Sequence, residues 1–212
     1  AFSLIAIAEQ DLPIDFPEAA IVEANETKPL TIDTDAIDIS ARTDLRDIAF
    51  VTIDPADARD HDDAVYAEPD TDPDNLGGYI VWVAIADVAA HVTPDSAMDE
   101  EARKRGNSVY MPDRVVPMLP ERLSNDLCSL REQEDRPCMA VRMQIDAQGK
   151  ERTHKFVRGL MRSAAKLSYQ EAQGIFDAQP GVGSTGLDGI LGQLWQAYLL
   201  MAQVRDARAP LI

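Results

Sequence analysis

The sequence predicts an α+β fold, a mixed and largely antiparallel sheet with flanking helices. Three observations carry that expectation. Runs at 48–53 and 79–86 are apolar and rich in β-branched or aromatic residues, which suits strands. Met139, Val141, Met143 and Ile145 alternate with polar or small residues, and Ala147-Gln148-Gly149 turns that strand back into Lys150–Met161 as a hairpin. Helical patterns are interleaved with the strands at 96–105, 169–178 and 190–202, an order that favours α+β over a doubly wound sheet.

Residues 1–45 read as a lead-in arm lying on the remainder, 46–212. Within it Ser3–Ile7 suggests a short strand, Asp11-Leu12-Pro13 a turn, and Phe16–Ala24 one or two helical turns. Pro29–Ala41 is polar, with scattered isoleucines and little period. A strand through Ile53 then enters an acidic connection, and Ala64–Ala67 leads out of it. Glu68–Gly78, with Asp70, Asp72 and Asp74 at alternate positions, reads as a solvated hairpin loop closed by Gly77-Gly78. It is no EF-hand: a frame starting at Asp70 puts Asn75 where Gly belongs and Val81 where the bidentate Glu belongs.

Tyr79–Ala86 is apolar on both faces, the mark of a central, covered strand. Asp87 just beyond it reads as a carboxylate capping the next turn rather than as a ligand. Ser96 caps a helix whose first turns carry Asp99, Glu100 and Glu101, whose end carries Arg103, Lys104 and Arg105, and which Gly106 terminates. Tyr110–Leu130, with Pro112, Pro117 and Pro120, is expected to be extended or looped, and Arg114, Arg122 and Arg131 give it local positive charge. Lys150, Arg152, Lys155, Arg158 and Arg162 on the returning hairpin strand read as a solvated face, with RNA contact the minority reading. Gly181, Gly183 and Gly186 fit a Gly-x-Gly-x-x-Gly spacing, but a helix and Pro180 precede them, so a flexible loop is expected rather than a nucleotide cradle. The stripe Ile190, Leu191, Leu194, Trp195, Tyr198, Leu199, Ala202 is accounted for by core packing.

At 212 residues the chain is long enough for one domain with a real core, or for two small ones. No apolar run approaches the roughly 20 residues a membrane helix requires, and the Phe2–Ala8 run lacks the basic start of a signal peptide, so a cytoplasmic location is the default expectation. Cys128 and Cys138 are too few for a disulfide framework and match no zinc spacing. A net charge of −17 argues against a strong grip on nucleic acid by this chain alone, because phosphate binding calls for a basic patch. Neither an internal repeat nor a low-complexity stretch is present.

The chemistry concentrates in Asp54-Pro55-Ala56-Asp57-Ala58-Arg59-Asp60-His61-Asp62-Asp63, five carboxylates in ten residues between two strands. Like charges held so close need a cation among them or water around them. One reading is a solvated acidic loop. The other is a divalent-metal site, whose all-oxygen donors suit magnesium, manganese or calcium rather than zinc. No frame from Asp54, Asp57 or Asp60 gives an EF-hand.

Val51-Thr52-Ile53-Asp54 followed by Asp60-His61-Asp62-Asp63-Ala64-Val65 resembles the catalytic-domain signature of the ribonuclease II and ribonuclease R family. Three further stretches fit it in order: Val83–Val88, Arg105–Arg114 with its Asn-Ser-Val-Tyr wording, and Pro117–Leu130. The wording is closer to the ribonuclease R branch. The resemblance implies an RNB-type catalytic domain, of which 46–212 would be the N-terminal portion, acting as a 3′-to-5′ hydrolytic exoribonuclease that releases nucleoside 5′-monophosphates. It implies that Asp54, Asp60, Asp62 and Asp63 are the catalytic, metal-binding residues, holding Mg2+ or Mn2+, and that Tyr110 clamps RNA bases. Two ions about 4 Å apart would activate a water and neutralise the leaving oxygen. Asp57 and His61 are not carried over: Asp57 is expected in solvent and His61 as a bystander.

The implied partner is single-stranded RNA, with flanking β-barrel RNA-binding modules of the same polypeptide expected outside these residues. A catalytic arginine is also expected beyond Ile212, so the 212 residues are expected to be a fragment with little or no activity alone. The alternatives are a catalytically inactive relative that binds RNA or protein, and a different two-metal phosphodiesterase.

Overall fold

The computed structural model describes residues 2–29, 41–178 and 186–208. Its centre is a seven-stranded mixed sheet. In chain order the strands are β1 (Thr43–Asp44), β2 (Val51–Asp54), β3 (Asp63–Pro69), β4 (Tyr79–Ala86), β7 (Asp135–Ile145), β8 (Glu151–Arg162) and β9 (Ala165–Ser168). Between β4 and β7 lies a separate two-stranded hairpin, β5 (Val109–Met111) and β6 (Arg114–Val116). Across the large sheet the order is β1-β8-β7-β4-β3-β2-β9. Only the outer pairs, β1 with β8 and β2 with β9, run parallel. The expected α+β class with a largely antiparallel sheet is what the chain adopts.

The apolar run Tyr79–Ala86 takes the central position because it can be buried on both sides. Val81 packs with one cluster, while Ile80, Trp82, Ala84 and Ala86 pack with the other. The first core, around fully buried Phe50, is covered by α2 (Glu18–Glu26), α3 (Ala97–Arg105) and the Leu119–Leu130 segment. On the opposite face α4 (Tyr169–Asp177) and α5 (Leu187–Ala207) cover Val51, Leu167, Ala67 and Val81. The sheet therefore lies between two helical layers, and truncating a fully buried Phe50 or Leu123 would cost about 3–5 and 2–5 kcal/mol respectively.

Local signals read from the sequence hold at α3. Ser96 Oγ accepts from the Asp99 N–H, and Gly106 closes the helix at φ 76°. The β3–β4 loop turns through Gly77 at φ 77°, and at Gly78 a Cβ would fall 2.4 Å from the Ile145 carbonyl oxygen, which no side chain tolerates.

Elsewhere packing overrides the local reading. Ser3–Ile7 is not a strand but part of a helix, α1 (Phe2–Glu9), whose alanines favour that state and which finds no sheet edge to join. The Phe16–Ala24 stretch yields a nine-residue helix, α2, because Ala20 and Ala24 are small enough to seat in the main core. Glu23 accepts from the Met98 N–H at 2.9 Å, and the Arg105 guanidinium lies 3.7 Å over the Phe16 ring, so both tie this arm to α3. The Tyr110–Leu130 segment is less loop-like than its prolines suggest, since it holds the β5–β6 hairpin and a single π-helical turn at Leu123–Leu127.

Asp87 is buried and structural, though not as a cap: its side chain makes no bond to the following turn and instead receives Arg42 at 2.7 Å and Arg158 at 3.1 Å. On α5 only part of the expected stripe is core. Leu191 is fully buried, whereas Trp195, Tyr198 and Leu199 are each 37–41% exposed, and Trp195 stacks between Phe176 and Tyr198. The Pro29–Ala41 and Gly181–Gly186 readings fall, apart from Pro29, Ala41 and Gly186, outside the described residues.

Candidate active site

The acidic connection begins where β2 ends. Asp54, half-buried, is the last residue of that strand, and its neighbour β9 runs alongside with Ser168 opposite Asp54. The loop then crosses the end of the sheet and re-enters it as β3 at Asp63, which pairs with Ile85. The Ala86 N–H donates to the Asp62 carbonyl at 2.8 Å, fixing the return.

A second segment clamps this loop from outside. His61 is buried; its N–H donates to Ser129 Oγ at 3.1 Å, and its carbonyl accepts from the Leu130 N–H at 2.6 Å. The Ser129 hydroxyl also donates to the Arg59 carbonyl at 3.4 Å. Ser129 is held in turn by an arginine. Arg136 donates to the Ser129 carbonyl at 2.9 Å, and Asp126 gathers Arg122, Arg131 and Arg136.

Asp54, Asp60 and Asp62 line one cleft of about 640 Å³, together with Asp57 and Tyr110 from β5. Asp54 meets His61 Nδ1 at 2.8 Å, a contact that places the ring proton on Nδ1 when the carboxylate is ionised. The bystander reading of His61 is thus too weak, since its ring orients Asp54. No local signal separated it from its acidic neighbours, because its partner Ser129 lies 68 residues away.

Asp60 accepts from the Tyr110 hydroxyl at 2.9 Å. The Tyr110 ring is 66% exposed while its hydroxyl is satisfied, so the aromatic face is open to the cleft side. Partial burial, then the hydrogen bond and charge of Asp60 and the charge of Asp62, push the phenol pKa up, keeping it a donor. Asp57 is exposed, as expected.

Asp63 stands apart. The two-residue alternation of β3 puts it on the face of Val65, towards the α4–α5 layer, and it does not line the cleft. Burial first, then the charges of Asp62 and Asp54, raise its carboxyl pKa above 3.8. Among the described residues no three His, Cys, Asp or Glu side chains are drawn together tightly enough to chelate an ion as they stand. Two causes are visible: Asp54 is turned to His61 and Asp60 to Tyr110, and Asp62 and Asp63 are consecutive residues at a strand start. The donor chemistry nevertheless fits a hard divalent ion. The four side chains offer only carboxylate oxygens, the donors that such an ion prefers.

Burial pushes the Cys128 and Cys138 thiols up to about 12, which leaves both as poor nucleophiles.

The RNB domain family model matches residues 42–208 of this fold and this cleft. The chain belongs to the RNB-domain family. Ribonuclease R of Vibrio parahaemolyticus is 43% identical over 209 residues, covering 96% of this RNB chain and 24% of that relative. Among solved structures, Mycoplasma genitalium RNase R in complex with double-stranded RNA matches with a TM-score of 0.80 at 30% identity, covering 95% of this chain and 34% of that one. Yeast Ssd1, a pseudonuclease, matches with a TM-score of 0.66 at 17% identity over 82% of this chain and 20% of that one, a likeness of fold alone. The chain thus spans about a quarter of the length of the Vibrio relative. Among the described residues no helix is long and apolar enough to cross a membrane.

Proposed function

We propose that this RNB chain supplies the acidic cleft of a 3′-to-5′ exoribonuclease that hydrolyses single-stranded RNA to nucleoside 5′-monophosphates. The observation that carries the reading is the placement of Asp54, Asp60 and Asp62 around one cleft with the exposed Tyr110 ring, in a chain whose relatives are ribonucleases R. A phosphodiester resists attack because its anionic oxygens repel a nucleophile. Asp54, Asp60, Asp62 and Asp63 are the residues that would hold Mg2+ or Mn2+, and such ions would polarise the phosphate and lower the pKa of an attacking water. His61 keeps the Asp54 carboxylate in place and withholds it from bulk water. Tyr110 offers a sequence-tolerant stacking surface for a base beside the acids, which suits an enzyme that degrades any RNA.

The 212 residues on their own are proposed to have little or no turnover, the rest of the activity lying in parts of the longer polypeptide. The inactive-relative reading is disfavoured by the presence of all four acids. One experiment separates the two. In the full-length protein, Asp62→Asn abolishes magnesium-dependent release of 5′-monophosphates from labelled RNA while RNA binding persists. Turnover that survives the substitution would remove Asp62 from the centre.

A further inference from the structure

The acid cleft has a neighbour. A second cleft of about 560 Å³ lies on the far side of the acidic loop, and the two share a wall made of Ala58, Arg59, Glu121 and Asn125. Arg122 and Arg131 in this second cleft are both engaged by Asp126. Arg59 and Lys166 are different: both are exposed, both line the second cleft, and among the described residues neither pairs with a carboxylate. They come from distant parts of the chain. Lys166 lies on β9 opposite Thr52, and its Nζ donates to the Ala58 carbonyl at 3.4 Å, which brings it to the backbone of the residue before Arg59.

The lining of the second cleft holds four Arg or Lys, namely Arg59, Arg122, Arg131 and Lys166, against three acids, Glu121, Asp126 and Glu132, a local positive surplus in a chain of 37 acids and 20 bases. The Arg59 carbonyl is fixed by Ser129, so its side chain projects from an anchored backbone. We propose that Arg59 and Lys166 form a phosphate subsite of the RNA track, binding a backbone phosphodiester next to the one being cut. The proposal rests on the ribonuclease reading of the acid cleft and adds to it how an acidic chain holds a polyanion there. Arg59 presents a planar fork to two phosphate oxygens, and Lys166 a point charge.

The test uses the full-length protein in an Asp62→Asn background, with a 5′-fluorescent oligoadenylate followed by anisotropy across a potassium chloride series. Arg59→Gln and Lys166→Gln are each expected to reduce the slope of log Kd against log salt by about 0.7, and the double variant by about 1.4, one counterion per lost phosphate contact. Lys166→Arg retains the slope. With Asp62 restored, KM rises more than kcat falls. An unchanged slope in the double variant overturns the subsite. So does altered inhibition by adenosine 5′-monophosphate with unaltered oligonucleotide binding, which would place the bases on the product instead. Turnover of the parent protein on the same RNA is measured alongside. A protein that cuts no RNA fails the proposed activity, whereas an unchanged slope in a protein that does cut fails only the subsite.

Discussion

The chain contains two acidic loops at the sheet, and they have opposite fates. In the β3–β4 loop, Asp70 accepts from Asn75 Nδ2 and Gln144 Nε2, both at 2.7 Å, and from the Asp72 N–H at 3.0 Å; Asp72 accepts in turn from the Asp74 N–H. The Asn75 hydrogen bond above all holds the Asp70 carboxyl below its ordinary value. Around the loop between β2 and β3, four carboxylates, Asp54, Asp57, Asp60 and Asp62, line a cleft, and the neighbouring Asp63 is pushed the other way by burial and then by the charges of Asp62 and Asp54. The first loop spends its charge on its own turn. The second leaves its carboxylates lining an open cleft. Density of acids is common to both, so it is the partners of each oxygen that distinguish structure from site.

Substitutions break this contrast in a graded way. In the full-length protein, Asp62→Asn should lower turnover by more than about a hundredfold, beyond what loss of a supporting residue costs. Asp72→Asn in the other loop should leave turnover within about twofold, because Asp72 is half-buried in a turn that does not line the cleft. Equal losses in labelled-RNA assays would erase the distinction.

His61→Ala should cost about 10- to 100-fold in turnover and raise the magnesium concentration needed for half-maximal rate, because Asp54 loses the ring that orients it. A stability loss with no change in metal requirement would reduce His61 to a packing residue.

Stability measurements sharpen the comparison further. Ser129→Ala removes the hydroxyl that accepts from the His61 N–H, and Asn75→Ala removes the amide that donates to Asp70 and to the Ile145 carbonyl. Each should cost about 1–3 kcal/mol in denaturant unfolding, since each leaves a partner unsatisfied. Only Ser129→Ala should also depress turnover.

The smallest effect is in acid. Asp70 has a lowered folded pKa, so its contribution to stability is present above its ordinary value of 3.8 and disappears as pH falls through the folded pKa. The stability difference between the parent and Asp70→Asn should therefore narrow as pH drops below 3.8, a window accessible to urea titrations. A difference that widens in acid would reverse the assignment.

Much of this was legible beforehand where the signal is local. Ser96, the acids after it and Gly106 define α3 within eleven residues, and the alternation from Met139 to Ile145 marks β7 without reference to anything distant. The identity of the acids was legible through their motif. Their arrangement was not: that Asp63 starts β3 on the face of Val65, beside the cleft and within reach of the charges of Asp54 and Asp62, follows from the sheet register and from the pleat. Tyr110 stands beside the acids through a bond to Asp60 that spans 50 residues, which no local window shows. The α5 stripe reads as core because periodicity reports which side of a helix is apolar, and not whether anything covers it.

By itself the sequence determined most of the strands and helices from β2 onward, the β5–β6 hairpin and the Leu123–Leu127 turn excepted, since hydrophobic period, caps and turn residues act over a few positions. It also determined that hard oxygen donors sit together in one stretch. Only the tertiary structure decided which carboxylates share a cleft, that His61 is held 68 residues away by Ser129, and that Lys166 reaches Ala58 across 108 residues. Those contacts form because a sheet closes long loops in space, and a side chain's chemistry is then set by neighbours that no local window contains.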